Sequence, residues 1–146
     1  MTLTIETRDL FTVPGDYYLA QCISADFGMG KGIAVAFNTH FHMKTTLQGK
    51  YPNYLNKYRQ NLTGDCIREG RVLNLITKER YWNKPTYDSL KEALQKAKEI
   101  CVKSGIEKLA MPKIGCGLDR LSWERVEALS RQIFADTDID ILVCVL

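Results

Sequence analysis

The sequence predicts a three-layer α/β fold with a mixed, largely parallel central sheet. Short apolar runs alternate along the chain with stretches whose apolar residues recur at helical spacing. At two places a glycine-rich loop stands between a predicted strand and the following helix. With 146 residues, of which 45% are hydrophobic, the chain is expected to form one domain over residues 1–146. This composition argues against a disulfide-stapled mini-protein and against a disordered chain.

The first part of the chain is predicted to hold two strands and three helical pieces. Apolar and polar residues alternate over residues 3–5, which is typical of an outer strand, and residues 18–23 form an almost continuous apolar run, typical of a buried strand. A helix is predicted over residues 33–41. Residues 43–62 are polar and rich in tyrosine and lysine, and Pro52 divides them into two short helices.

The middle of the chain is predicted to form two further strands and a long helix. Residues 65–68 and 72–76 are separated by a turn, which indicates a hairpin or two successive strands, the second ending at Thr77 and Lys78. A helix is expected to start around Pro85, because proline suits the first turn, and apolar residues recur at helical spacing until the next glycine.

The last part of the chain completes the alternation of strands and helices. A strand is predicted over residues 108–111, a helix from Ser122 to about Ala135, and a final strand over residues 139–145. The apolar residues that should face inward from this helix are Trp123, Val126, Leu129 and Ile133. Together these elements predict helices on both faces of the sheet.

Charge and cysteine content narrow the class of protein. The formal net charge of +3 is too small to indicate nucleic acid, although a weakly positive face would suit an anionic ligand. The five cysteines are odd in number and form no CxxC pair, which predicts reduced thiols rather than disulfides or a zinc ribbon. No secretory leader or membrane span is apparent, so we expect a protein of the cytoplasm, or of the nucleus in a eukaryote, that is not secreted.

The two glycine-rich loops, residues 28–32 and 112–119, are predicted to surround one anionic ligand. Glycine lets the backbone approach a phosphate closely, and the following helix N-terminus adds partial positive charge. Ligands of open α/β sheets bind beyond the carboxyl ends of the strands, where both loops would lie. Neither loop matches a dinucleotide-binding or P-loop fingerprint, so plain tight turns are the alternative interpretation.

Three side chains are candidates for chemistry. Asp119 can act as a general acid or base, or it can cap the next helix, although Ser122 is closer to the helix start. Lys78 ends an apolar strand, where a neutral amine would be a nucleophile, but most lysines are solvated charges. Cys116 can be a nucleophile near a helix N-terminus; since no histidine is placed as its partner, we interpret it as a small loop residue whose backbone N–H matters.

Two other patterns are weaker. His40 and His42 are two residues apart and would lie on different sides of a helix, which argues against a metal pair, and no metal site is predicted. Residues 50–59 combine tyrosines with basic residues and would suit the stacking of nucleobases, but a solvated, partly amphipathic surface is the favoured interpretation.

Read together, several segments resemble the macrodomain family and, within it, the terminal ADP-ribose protein glycohydrolase branch. The resemblance covers essentially the whole chain. It is carried by Arg8-Asp9-Leu10-Phe11, Cys22-Ile23-Ser24-Ala25-Asp26, Gly28-Met29-Gly30-Lys31-Gly32-Ile33-Ala34, Leu75-Ile76-Thr77-Lys78, Lys84-Pro85-Thr86-Tyr87 and residues 111–121.

This resemblance implies that the ligand is ADP-ribose, bound without a cofactor. The adenine would lie near Asp9 and Leu10, the distal ribose near Ser24 and the first loop, and the diphosphate within the second loop. The positions that the resemblance implies as ligand contacts are Asp9, Leu10, Ser24, Gly28, Gly30, Lys31, Gly32, Ile33, Lys113, Ile114, Gly115, Cys116, Gly117, Leu118 and Leu146.

The resemblance also implies an activity. In this branch the lysine that matches Lys78 attacks the anomeric carbon of ADP-ribose attached to a carboxylate side chain, and the aspartate that matches Asp119 helps to form and resolve the covalent intermediate. A hydrolase is therefore expected, which removes mono-ADP-ribose, or a whole chain at its protein-proximal unit, from glutamate and aspartate side chains of proteins; a monomer is the default expectation. The alternatives are a hydrolase of ADP-ribosylated DNA bases, a phosphatase of ADP-ribose phosphate, and a non-catalytic ADP-ribose reader.

Two departures from the family pattern limit the properties that the resemblance implies for this chain. Cys144 stands where the similar proteins have an aromatic residue that packs on the adenine, so stacking worth roughly 1 kcal/mol would be missing. Residues 39–64 match poorly, so the choice of target is not implied by the resemblance.

Overall fold

The computed structural model of the protein describes all 146 residues. The strands are β1 (Thr2–Thr7), β2 (Tyr18–Ser24), β3 (Asp65–Glu69), β4 (Val72–Lys78), β5 (Lys108–Met111) and β6 (Asp140–Val145). The α-helices are α1 (Ile33–Phe41), α2 (Met43–Lys50), α3 (Tyr54–Asn61), α4 (Tyr87–Ser104) and α5 (Trp123–Phe134), and a 3-10 helix covers Leu10–Thr12. None of the helices combines the length and the apolar content that crossing a membrane requires.

The strands form one sheet in the order β1-β6-β5-β2-β4-β3. Neighbouring strands are parallel except β3 and β4, which form an antiparallel hairpin around Gly70, a residue with φ of +59°. The predicted mixed, largely parallel sheet is confirmed, and so is the order of an outer strand, β1, followed by a central one, β2.

Helices cover both faces of the sheet and create two separate cores. On one face α1, α2 and α3 contribute buried side chains such as Phe37 and Leu47, and on the other α4 and α5 contribute Leu90, Leu94 and Phe134. Because β4 lies between these cores, all its residues from Val72 to Thr77 are buried, which explains why its sequence is apolar apart from Asn74 and Thr77. The predicted three-layer arrangement is confirmed.

The beginning of α4 differs from its prediction. Pro85 lies outside the helix, and Thr86 is the N-cap: its hydroxyl accepts a 3.0 Å hydrogen bond from the Ser89 N–H, while the Ser89 hydroxyl accepts one of 3.0 Å from the Thr86 N–H. This reciprocal capping box satisfies two amides and fixes the start at Tyr87. The helix ends, as predicted, at Gly105, whose φ is +66°.

The start of α5 also differs in detail. Ser122 occupies the N-cap position, but its side chain caps no amide, and its own N–H donates to the Tyr87 hydroxyl over 2.9 Å. The fully buried side chains of α5 are Val126, Ser130, Ile133 and Phe134, whereas Trp123 and Leu129 are half-buried.

The tyrosine-rich segment before β3 belongs mainly to the first core. Pro52 separates α2 from α3 as predicted. Tyr54 and Tyr58 are each 6% exposed, and the Tyr54 ring stacks on Phe27 with centroids 5.5 Å apart. These rings are therefore not available for stacking on nucleobases, and α3 is amphipathic.

Candidate active site

The carboxyl ends of the central parallel strands bring the predicted site residues to one edge of the sheet. The first glycine-rich loop follows β2, the second follows β5, and Lys78 is the last residue of β4. Lys78 is the register partner of Ser24 across β2 and β4. Residues from three different parts of the chain thus meet where open α/β sheets bind their ligands.

Lys78 and Asp119 form the most enclosed ion pair of the protein. The Lys78 Nζ lies 2.7 Å from Oδ1 of Asp119, and only 12% and 15% of the two side chains are exposed. A proton can pass along a hydrogen bond of this length, leaving a neutral amine beside a carboxylic acid. Asp119 caps no helix, so the alternative structural role considered for it does not apply.

The first loop is held by a residue that the sequence interpretation did not single out as part of the site. Asp26 accepts hydrogen bonds from the Ser24 hydroxyl, from the Gly28 N–H at 3.1 Å and from the Tyr81 N–H at 3.2 Å. An aspartate two residues before a glycine is the signature of an Asx turn, which is the signal that would have identified it. Asp26 thus joins the loop after β2 to the segment that follows Lys78.

The second loop is anchored on the beginning of α4. The Lys84 Nζ donates to the Leu118 carbonyl over 2.7 Å, and the Tyr87 hydroxyl accepts from the Ser122 N–H just beyond the loop. The Leu121 N–H, also beyond the loop, donates back to the Gly115 carbonyl over 2.8 Å. Asp119 lies between these anchors. Sequence spacing assigned no role to Lys84 or Tyr87, although both belong to a segment that carried the family resemblance.

The glycines of the loops serve different purposes. Gly32 has φ of +62°, and a Cβ atom there would lie 3.5 Å from the Leu118 side chain, so the two loops meet at this point. A Cβ atom at Gly28 would lie 2.9 Å from the Cβ of Tyr81, which leaves no room for a side chain. At Gly30 and Gly117, in contrast, a Cβ atom would meet no protein atom within 4 Å. Neither packing nor a positive φ requires glycine there, which fits the close approach of a ligand.

Cys116 is placed as a loop residue rather than as a nucleophile. Burial raises the pKa of its thiol, and the nearby charge of Lys113 opposes this only in part. The thiol donates to the Ile114 carbonyl at 3.3 Å, and the Cys116 N–H donates to the Lys113 carbonyl at 3.2 Å. A protonated thiol is a poor nucleophile, so the interpretation of Cys116 as a small loop residue is favoured.

The residues expected near the adenine lie at the β1–β6 side of the same edge. Asp9 accepts from the Phe11 N–H at 2.9 Å and caps the 3-10 helix, and Leu10 is buried in the first core. Cys144, the register partner of Glu6, is 6% exposed in that same core. Leu146 is fully exposed.

The remaining predicted contacts differ in accessibility. Ser24 and Ile114 are buried, whereas Lys31 and Lys113 are exposed, and Ile33 begins α1 as a half-buried residue. The exposed lysines carry positive charge within the two loops, whereas Ser24 is the last residue of β2 and Ile114 is a buried residue of the second loop.

The comparisons with known proteins agree on one family. The Macro domain family model matches residues 23–130. The ADP-ribose glycohydrolase OARD1 of Homo sapiens is 43% identical over 145 residues, covering 97% of this chain and 90% of that protein. Among solved structures, the macrodomain of Thermus aquaticus DarG has a TM-score of 0.81 at 18% identity and 99% coverage of both chains. Thermosipho africanus DarTG in complex with ADP-ribose has a TM-score of 0.76 at 21% identity, covering 99% of this chain and 41% of that one.

Proposed function

The chain belongs to the macrodomain family, and from that premise we propose that it removes ADP-ribose from glutamate and aspartate side chains of proteins, with Lys78 as nucleophile and Asp119 as acid and base. That it is an ADP-ribosyl hydrolase follows from its 43% identity, over 97% of its length, to a curated ADP-ribose glycohydrolase. The proposal adds the linkage that is cleaved and the residues that cleave it.

The observation that carries the proposal is the ion pair of Lys78 and Asp119. A reader module needs backbone amides and apolar walls for its ligand, but it does not need a largely buried amine within 2.7 Å of a carboxylate. Burying two charges is costly unless they are paired, and such a pair at a ligand-binding edge is typical of a catalytic centre.

The glycine-rich loops support the position of the ligand. With the adenine at the β1–β6 side and the diphosphate between the loops, the distal ribose extends toward β2 and β4. Its anomeric carbon then lies beside the Lys78 amine. ADP-ribose in this orientation uses the open backbone at Gly30 and Gly117, where a side chain would interfere with the ligand rather than with the protein.

The reaction begins with a proton transfer from Lys78 to Asp119 along their hydrogen bond. The neutral amine attacks the anomeric carbon, the bond from that carbon to the acyl oxygen breaks, and Asp119 gives its proton to the departing acid. The acceptor leaves as glutamic or aspartic acid, and the sugar remains covalently bound to Nζ.

The second half of the reaction regenerates the pair. Asp119, now a carboxylate, takes a proton from a water molecule that attacks the anomeric carbon, and the carbon–nitrogen bond breaks. Free ADP-ribose is released, and the proton returns from Asp119 to Lys78. One water molecule is consumed, and no cofactor is needed.

A comparison of linkages tests this function. The wild type and Asp119→Ala are each incubated with three substrates: protein ADP-ribosylated on glutamate, protein ADP-ribosylated on serine, and DNA ADP-ribosylated on thymidine. Release of ADP-ribose is followed by mass spectrometry. We expect release from glutamate by the wild type and a rate at least about 100-fold lower for Asp119→Ala. Release from DNA alone would identify a different substrate, and retention of every substrate without release would identify a reader.

A further inference from the structure

A second space adjoins Lys78, separate from both glycine-rich loops. It is a cleft of about 350 Å³ at the carboxyl end of β4. Its walls come from Tyr58 and Leu62 of the α3 region, from Glu79, and from Asn83 and Lys84 before α4. No residue of either glycine-rich loop lines it. Lys78 is therefore shared between the two loops on one side and this cleft on the other.

We propose that this cleft holds the acidic polypeptide segment from which ADP-ribose is removed, an assignment that rests on the function proposed above. The order of the strands gives the reason for its location. In the orientation proposed above, ADP-ribose extends along the sheet edge from β6 through β5 to β2, the strand order seen in the sheet, and its anomeric carbon ends at Lys78 of β4. The acyl group is attached to that carbon, so the acceptor polypeptide continues beyond Lys78, where the cleft begins.

Tyr58 gives the cleft a hydrogen-bond donor that the protein itself does not use. The residue is 6% exposed and lines the cleft, and its hydroxyl bonds to no other group of the protein. Burial, together with the charges of Glu92 and Glu79, raises the pKa of the Tyr58 hydroxyl, so it is protonated at neutral pH. A polypeptide carbonyl or carboxylate that enters the cleft can accept this hydrogen bond.

Leu62 lines the cleft and has a left-handed backbone conformation, which is unfavourable for a residue with a branched side chain. It is the C-cap of α3 with φ of +51°, a position where glycine or asparagine is usual and where another residue costs roughly 1 kcal/mol. Its side chain is 64% exposed, so packing within the protein does not offset this cost. Contact with a bound polypeptide would explain a leucine at this position.

The charges around the cleft favour an acidic occupant. Lys84 lines it without an acidic partner, whereas Lys78 is paired with Asp119 and the one acidic lining residue, Glu79, is paired with Arg59 at 3.4 Å and with Arg80 at 3.9 Å. The amino-terminal turn of α4 forms part of the wall and adds its partial positive charge. The acceptor acid itself departs toward this region when the bond to ADP-ribose breaks.

Aromatic residues next to the cleft extend the surface for a polypeptide. Tyr81 and Trp82 are 59% and 62% exposed, with ring centroids 4.9 Å apart, and the Arg80 guanidinium lies 5.7 Å from the Trp82 ring centroid. Exposed pairs of large aromatic side chains beside an arginine are typical of the central part of protein interfaces. They lie in the segment between Lys78 and the cleft residue Asn83.

The test uses peptides that differ only around the modified residue. One peptide carries a single ADP-ribosylated glutamate between acidic residues, and its counterpart carries lysines in place of those acids. In single-turnover assays the double variant Tyr58→Phe/Leu62→Gly should raise the half-saturating concentration of the acidic peptide about tenfold. Its Kd for free ADP-ribose should stay within about twofold of the wild type. For the wild type, the half-saturating concentration of the acidic peptide should be at least about fivefold lower than that of the lysine peptide.

The variants are chosen so that misfolding does not obscure the result. Phenylalanine retains the ring of Tyr58, and glycine accepts the backbone conformation of Leu62, so the unfolding midpoint should not fall. Val102→Ala, at an exposed apolar position of α4 outside the cleft, is the matched control and should change nothing. An unchanged half-saturating concentration, an equal loss of affinity for free ADP-ribose, or an effect confined to ADP-ribosylated single-stranded DNA would overturn the assignment. A wild type that releases ADP-ribose from no substrate would instead refute the proposed function.

Discussion

The Nζ of Lys78 donates a 2.7 Å hydrogen bond to Oδ1 of Asp119, a residue 41 positions later in the chain. The first residue ends β4, and the second lies in the loop between β5 and α5. Their contact therefore depends on the parallel order of the central strands and on the anchoring of that loop to α4.

The first prediction concerns the energetics of the pair. Because 12% and 15% of the two side chains are exposed, removing one partner leaves the other charge largely desolvated. Asp119→Asn and Lys78→Met should each lower the free energy of unfolding by about 1–3 kcal/mol, and the double variant should lose less than the sum. Urea denaturation of the four proteins measures the coupling; single-variant effects that add within about 0.5 kcal/mol would show that the pair is not coupled.

A second prediction concerns the open glycines. Gly30→Ala and Gly117→Ala introduce a methyl group that meets no protein atom within 4 Å, so the free energy of unfolding should stay within about 1 kcal/mol of the wild type. The same methyl group should weaken ADP-ribose binding at least about tenfold, as measured by calorimetry, because it lies where the ligand approaches the protein backbone. Gly49→Ala, which is equally unobstructed but lies in α2, is the control and should bind ADP-ribose normally.

Lys84 is expected to act by positioning the loop that carries Asp119. Lys84→Met removes the hydrogen bond to the Leu118 carbonyl and should lower kcat about tenfold, since a charged hydrogen bond contributes about 1.5 kcal/mol. Lys84→Arg should recover part of the rate. Lys103→Met, an exposed lysine in the last turn of α4, should leave the rate unchanged. If Lys84→Met and Lys103→Met behave alike, the anchoring contributes nothing to turnover.

The buried thiols predict the response to alkaline pH. Burial raises the pKa of Cys101 from 9.0 to about 11, so between these pH values the unfolded chain loses a proton that the folded chain keeps. The contribution of the Cys101 thiol to the free energy of unfolding is fully present below pH 9. It is lost as the pH rises toward 11, at most by about 1.4 kcal/mol per pH unit for one proton. Urea midpoints of Cys101→Ala should therefore fall less steeply over this range than those of the wild type. Parallel curves would contradict the assignment of this slope to Cys101.

The elements of the fold could be predicted because the sheet is covered on both faces. The mainly apolar sequence of β4 and the helical spacing of α4 both follow directly from burial between or against the two cores. Helix starts were less certain, since they depend on individual hydrogen bonds: the Thr86–Ser89 capping box, not Pro85, fixes the beginning of α4.

The candidate site was predictable where it depends on loop composition and not where it depends on contacts across the fold. Glycines between strands and helices pointed to both loops. The hydrogen bond from Lys84 to Leu118 joins residues 34 positions apart, and that from Tyr81 to Asp26 joins residues 55 apart. No local pattern contains such contacts, so the supports of the site, and the cleft beside Lys78, required the folded structure.

The most direct test of the account is the single-turnover rate at which Lys78→Ala releases ADP-ribose from a glutamate-modified protein at saturating enzyme. We predict a rate at least about 1,000-fold below that of the wild type, because the nucleophile is lost, with the Kd for ADP-ribose within about threefold of the wild-type value. A rate within about tenfold of the wild type would contradict the role of Lys78 and, with it, the covalent mechanism.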